Sequence, residues 1–73
     1  MSGLQKKSFS LAGHRTSVAL EREFWAALVG IARQRGQTLS ALVASVDAER
    51  TPARPLASAL RLLALQAARD AAT

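Results

Sequence analysis

The sequence predicts a mainly helical domain opened by one short β-strand, and three observations predict it. Residues Arg15-Thr16-Ser17-Val18-Ala19-Leu20 alternate between two kinds of side chain, the period-two pattern of a half-buried strand. Three later segments repeat apolar residues at helical spacing. Gly36, Pro52 and Pro55 fall between those segments, where a helix must end. The expected order is strand, helix, helix, helix.

In the strand, Thr16, Val18 and Leu20 share one face, and Arg15, Ser17 and Ala19 share the other. Upstream, Phe9 and Leu11 are apolar but odd-numbered, so one continuous strand would set them opposite Val18 and Leu20. A bulge or turn at Ala12-Gly13 removes the conflict, since glycine tolerates the backbone angles needed. The strand expected to function is therefore 15–20. Residues 1–7 are polar and are expected to form a flexible basic arm.

The first helix is expected from about Glu21 to Arg35. Phe24, Leu28 and Ile31 set its apolar face, widened by Trp25, Val29 and Ala32. Glu21 and Glu23 at one end and Arg33 and Arg35 at the other complement the helix dipole, and Gly36 supplies the stop. Thr38 can cap a second helix, about Leu39 to Glu49, whose face is Leu39, Leu42, Val43 and Val46. After the linker 50–55, Pro55 can open a third helix, about Leu56 to Asp70. That helix carries Leu56, Leu60, Leu63 and Ala67 on one stripe, broadened by Leu62 and Leu65.

Size and composition argue for association. A chain of 73 residues is one domain with a marginal core when alone. With no cysteine and only His14, it can build neither a disulfide nor a metal site, and no cofactor is expected. The lone strand adds a second demand, because its backbone N–H and C=O groups need partners. Pairing with the same strand of a second copy around a two-fold axis meets both demands. A homodimer is expected.

The net charge of +5 points to a polyanionic partner, a nucleic acid or an anionic surface, or else to a merely solubilising surface. Residues 1–20 hold Lys6, Lys7 and Arg15 and no acid. No run approaches the roughly 20 apolar residues of a membrane span. No signal-peptide stretch follows the lysines, so a cytoplasmic, nucleoid-associated protein is expected. Catalysis is not: the five carboxylates Glu21, Glu23, Asp47, Glu49 and Asp70 form no acid/base pair, no nucleophile sits with a base, and no glycine loop could cradle phosphate.

Taken together, His14-Arg15-Thr16-Ser17-Val18-Ala19-Leu20, Glu23-Phe24-Trp25 and Gly36-Gln37-Thr38-Leu39-Ser40-Ala41-Leu42-Val43 resemble the ribbon-helix-helix fold of the Arc/MetJ type. They are similar in particular to a subgroup opening with a Gly-His-Arg-Thr-Ser strand and a Phe-Trp helix. Ser58-Ala59-Leu60-Arg61 is similar to that subgroup's third-helix start. The resemblance covers roughly 8–66, and it divides the chain into the arm 1–7, a ribbon-helix-helix domain 8–50, and a linker with C-terminal helix 51–73.

The resemblance implies a bacterial transcriptional regulator, a repressor, whose dimer forms an intermolecular two-stranded antiparallel ribbon in the major groove of double-stranded DNA. By position, Arg15, Ser17 and Ala19 would face the bases. Arg15 suits guanine O6 and N7, Ser17 discriminates weakly, and Ala19 offers only contact with a thymine methyl, where relatives usually carry a polar residue. Thr38, Leu39 and Ser40 at the second helix start would hold phosphate, with Lys6 and Lys7 following the DNA backbone. Val18, Leu20, Phe24, Trp25, Leu28, Ile31, Leu39, Leu42, Val43 and Val46 would form the dimer core. The alternative for Arg15 and Ser17 is a solvated strand face.

The C-terminal helix is left three roles: added core, a tetramer interface on DNA, or a surface at 56–70 for a protein partner. The last belongs to the rival reading, an antitoxin or interaction module. The basic, Ala/Leu-rich character of 51–73 speaks against an antitoxin tail.

Overall fold

Between Leu11 and His14 the chain reverses on two residues, Ala12 and Gly13, at φ 50° and 83°. Two successive positive φ angles are those of a type I′ turn, the tight connection whose twist matches that of paired strands. It joins β1 (Gln5–Leu11) to β2 (His14–Leu20) in an antiparallel hairpin, with Ser8 opposite Ser17 and Phe9 opposite Thr16. Helices α1 (Arg22–Gln34), α2 (Leu39–Glu49) and α3 (Leu56–Ala72) follow. The computed structural model describes residues 3–72.

The hairpin corrects the expectation of a lone strand paired only with a second copy. The backbone partner of 15–20 lies in the same chain, seven residues that the sequence pattern had not marked as a strand. The turn at Ala12-Gly13 does resolve the parity of Phe9 and Leu11. Reversal places both on the same side as Val18 and Leu20, and all four are buried. β1 also takes up the last three residues of the expected arm, Gln5, Lys6 and Lys7. Met1 and Ser2 lie outside the described residues.

Helix α1 ends in a Schellman arrangement. Gly36, at φ 67°, donates to the Arg33 carbonyl at 3.1 Å, and Gln37 donates to the Ala32 carbonyl at 2.8 Å. The chain is thereby turned directly into Thr38, whose hydroxyl accepts from the Ala41 N–H at 3.0 Å and caps α2. The third helix begins one residue after Pro55, whose carbonyl accepts its first backbone bond, from Ala59.

The core draws residues from every element of the chain. Leu20, Leu28, Leu42, Val43 and Leu60 are fully buried, joined by Val18, Trp25 and Ile31 and by Phe9 and Leu11 from the hairpin. Phe24, Leu39 and Val46 pack against this cluster while remaining partly exposed. Helix α3 contributes Leu56, Leu60 and Ala64 and packs on α1, α2 and β2. Leu62 and Leu65 on its other side stay exposed.

Candidate nucleic-acid interface

Residues opposite one another in an antiparallel pair share a face. The register therefore sorts the hairpin into an inner face over the core and an outer face of Lys6, Ser8 and Ser10 from β1 with Arg15, Ser17 and Ala19 from β2. The three expected base readers lie on the outer face, with Arg15 and Ser17 exposed and Ala19 half-buried. Sequence reasoning missed their neighbours Ser8 and Ser10. The signal was present in the alternation of Phe9 and Leu11 with polar residues, read in register across the Ala12-Gly13 turn.

The outer face is knitted together by side chains. Arg15 Nη1 donates to Ser10 Oγ at 3.1 Å, and the Ser8 and Ser17 hydroxyls lie 3.0 Å apart. The two lysines expected to follow phosphate diverge. Lys6 shares the outer face opposite Ala19, whereas Lys7 lies on the inner side, its Nζ 5.8 Å from the centre of the Trp25 ring. All five carboxylates fall at Glu21 or later, so the hairpin is uniformly cationic.

Below the hairpin, Trp25 of α1 holds β1 in place. Its indole Nε1 donates to the Gln5 carbonyl at 2.8 Å, and its ring meets Phe9 with centroids 5.9 Å apart. A buried tryptophan needs such a partner for its N–H. At the other end of the hairpin, Glu21 accepts from Arg61 of α3. A hydrogen bond from its own backbone N–H, together with the Arg61 guanidinium, holds the Glu21 carboxyl below the usual glutamate range. Arg61 also lies 5.7 Å from the centre of the Phe24 ring, fixing α3 to the start of α1.

The start of α2 offers anion-binding geometry. Thr38 spends its hydroxyl on Ala41, which leaves the Leu39 and Ser40 N–H groups, in the first turn, with no carbonyl of their own helix to meet. Thr38 and Ser40 are exposed and Leu39 is half-buried. Helix α2 packs against β1. Among the described residues there is no group of acids and histidine that could hold a metal ion, and no helix is long and apolar enough to cross a membrane.

A family model, the ribbon-helix-helix domain, matches residues 4–68, spanning both strands, α1, α2 and most of α3. The chain belongs to the ribbon-helix-helix family. Members of this family typically bind DNA and form dimers, serving as transcription regulators or antitoxins, and the fold is a non-enzymatic one. Comparisons with the curated proteins and with the solved structures return no match. The ribbon-helix-helix match reaches past the minimal strand and two helices into α3, in keeping with the burial of Leu56, Leu60 and Ala64 in the common core.

Proposed function

We propose that this ribbon-helix-helix protein is a sequence-specific DNA-binding transcription regulator, a repressor acting as a homodimer. In this reading Arg15, Ser17 and Ala19 face base edges in the major groove. The observation that carries it is the outer face of the hairpin, where cations and hydroxyls stand on two paired strands with no carboxylate among them. The major groove, about 12 Å wide, admits a two-stranded ribbon. Arg15 can donate twice to guanine O6 and N7, and Ser17 can donate or accept with several bases.

The first turn of α2 supports the same reading. Leu39 and Ser40 offer N–H groups and the positive end of the helix dipole to a phosphate, and the Ser40 hydroxyl can add a bond. Lys6 extends the cationic face along the DNA backbone. Duplex DNA as partner would put the protein to work at the nucleoid.

The test is fluorescence anisotropy with random and selected duplexes across a salt series. Phosphate contacts make affinity fall steeply as salt rises. Arg15→Ala is expected to cost about 1–3 kcal/mol per half-site on selected duplexes and to relax specificity there. A folded dimer that binds no duplex even at low salt would overturn the regulator reading. The second reading, a module that binds a partner protein through 56–70, is favoured by the exposure of Leu62 and Leu65 at 46% and 52%. It predicts that Arg15 can be removed without loss of function.

A further inference from the structure

We infer that β1 is a rim strand: with β2 paired to β2 of a second copy and laid in the major groove, β1 of each copy rides over the groove's edge, where Lys6, Ser8 and Ser10 bind DNA phosphates. This rests on the groove-reading function proposed above and assigns it phosphate contacts outside the ribbon itself.

The ladder leaves open the edge that a second copy needs. A two-residue turn closes on a hydrogen-bonded pair, here Leu11 and His14. Pairs then alternate, so His14, Thr16, Val18 and Leu20 direct their backbone groups to β1. Arg15, Ser17 and Ala19 direct theirs to the opposite edge of β2, where no strand lies among the described residues. Those N–H and C=O groups need partners. A second β2, antiparallel about a two-fold axis, supplies them, and the ribbon then holds one strand from each copy.

Spacing decides where β1 falls. Neighbouring strands lie about 4.8 Å apart, so each β2 axis is about 2.4 Å from the two-fold and each β1 axis about 7 Å from it. The major groove is about 12 Å wide, hence about 6 Å from its centre to either edge. The two β2 strands fit between the edges. Each β1 lies beyond them, above the phosphates that line the groove.

The outer face of β1 has the chemistry for that position. Lys6 is an exposed cation, and Ser8 and Ser10 are exposed hydroxyls. Serine side chains are short, so a phosphate can come close to the strand there, whereas Arg15 on β2 is long enough to reach into the groove. Ser10 Oγ accepts from Arg15 Nη1, which leaves its own hydrogen to donate to a phosphate oxygen. Between Ser8 and Ser17 one hydroxyl donates to the other, and with Ser17 as donor the Ser8 hydrogen is free in the same way. No acid stands on either strand to repel phosphate.

The experiment selects duplexes from a random pool with the wild-type chain and measures anisotropy on two panels. In one, each base pair of the selected site is exchanged in turn. In the other, each phosphate in turn is replaced by an uncharged methylphosphonate. Wild type is expected to lose affinity in the second panel at phosphates on both sides of the groove, related by the two-fold. Lys6→Ala, Ser8→Ala and Ser10→Ala should each weaken binding about fivefold per copy, the worth of one net hydrogen bond, and each should lose sensitivity to one of those phosphates. Lys6→Ala should also lower the salt slope by about one per copy. Base preference in Lys6→Ala and Ser8→Ala should stay as in wild type. On DNA, the β1 amides bonded to β2 should remain protected from hydrogen exchange. Circular dichroism confirms that each variant is folded.

Wild-type affinity in all three variants, with Arg15→Ala still flattening the base preference, would overturn the rim role and leave groove reading standing. A flattened preference in Lys6→Ala or Ser8→Ala would also overturn it, since β1 would then touch bases. So would loss of β1 protection on binding, because the second copy's strand would have taken β1's place. If selection enriches no sequence, or Arg15→Ala leaves the profile intact, groove reading falls and the rim role falls with it.

Discussion

Arg61 closes on Glu21 through one carboxylate oxygen, donating to Oε1 from Nε at 3.1 Å and from Nη2 at 2.9 Å across 40 residues of sequence. The pair joins α3 to the point where β2 becomes α1. Glu21 is the residue before the helix and has no side-chain cap bond of its own, so its carboxylate is free for this link.

Stability should respond to pH through that pair. The Glu21 pKa is lowered in the folded state, so between the lowered and the ordinary value the unfolded chain binds more protons. The contribution is fully present above the ordinary glutamate range and is lost as pH falls through the lowered folded value. Thermal melts of wild type and Glu21→Gln should therefore differ at neutral pH, with wild type the more stable, and should converge in acid. A gap that persists unchanged to low pH would show that the ion pair does not link folding to protonation.

The hairpin turn carries a correctable strain. Ala12 sits at φ 50°, a left-handed conformation that a Cβ disfavours by about 1–2 kcal/mol. Asparagine followed by glycine is the favoured type I′ pair. Ala12→Asn should raise stability by about 0.5–1 kcal/mol in urea titrations. Gly13→Val should lower it, because φ 83° is foreign to a β-branched residue although nothing lies within 4 Å of the added Cβ.

Leu60 decides how integral α3 is. It is fully buried, and Leu→Ala at such a site costs about 2–5 kcal/mol, depending on how far the cavity collapses. Leu60→Ala is expected to fall in that range by chemical denaturation, and Leu65→Ala to change stability by less than about 0.5 kcal/mol. Equal, small effects would mean that α3 is an appendage rather than part of the core.

Ser40→Glu tests the proposed phosphate anchor. A carboxylate in the first turn of α2 is compatible with the helix dipole, so the fold should tolerate it. Against DNA it repels phosphate, and affinity should fall for all duplexes alike, most strongly at low salt. Unchanged low-salt affinity would remove the start of α2 from the interface.

Much of this architecture was legible in the sequence. Helix α2 has the expected bounds because both of its ends are marked locally, by Thr38 as cap and by Pro52 beyond Arg50. The stop at Gly36 was equally local. Strand β1 was not legible by itself, since Lys6, Lys7 and Ser8 supply no apolar rhythm and only Phe9 and Leu11 hint at one. Its identity as a strand depends on register with β2, a relation between segments. For the candidate site this had a direct effect: alternation within 15–20 was enough to put Arg15 and Ser17 on one strand face, while placing Ser8 and Ser10 beside them required the hairpin. The Glu21–Arg61 link left no trace in local pattern, because neither residue's neighbours indicate a partner 40 residues away.

Trp25 has one more consequence. It is the single tryptophan of the chain, 3% exposed, and it is bound to the Gln5 backbone under the ribbon. Its emission therefore comes from one defined place, with no second fluorophore of its kind to confuse the signal. Loosening of β1 would wet the indole and shift that emission to longer wavelength. The protein thus carries its own optical gauge, able to follow in unlabelled material whether the ribbon stays seated when duplex DNA is added.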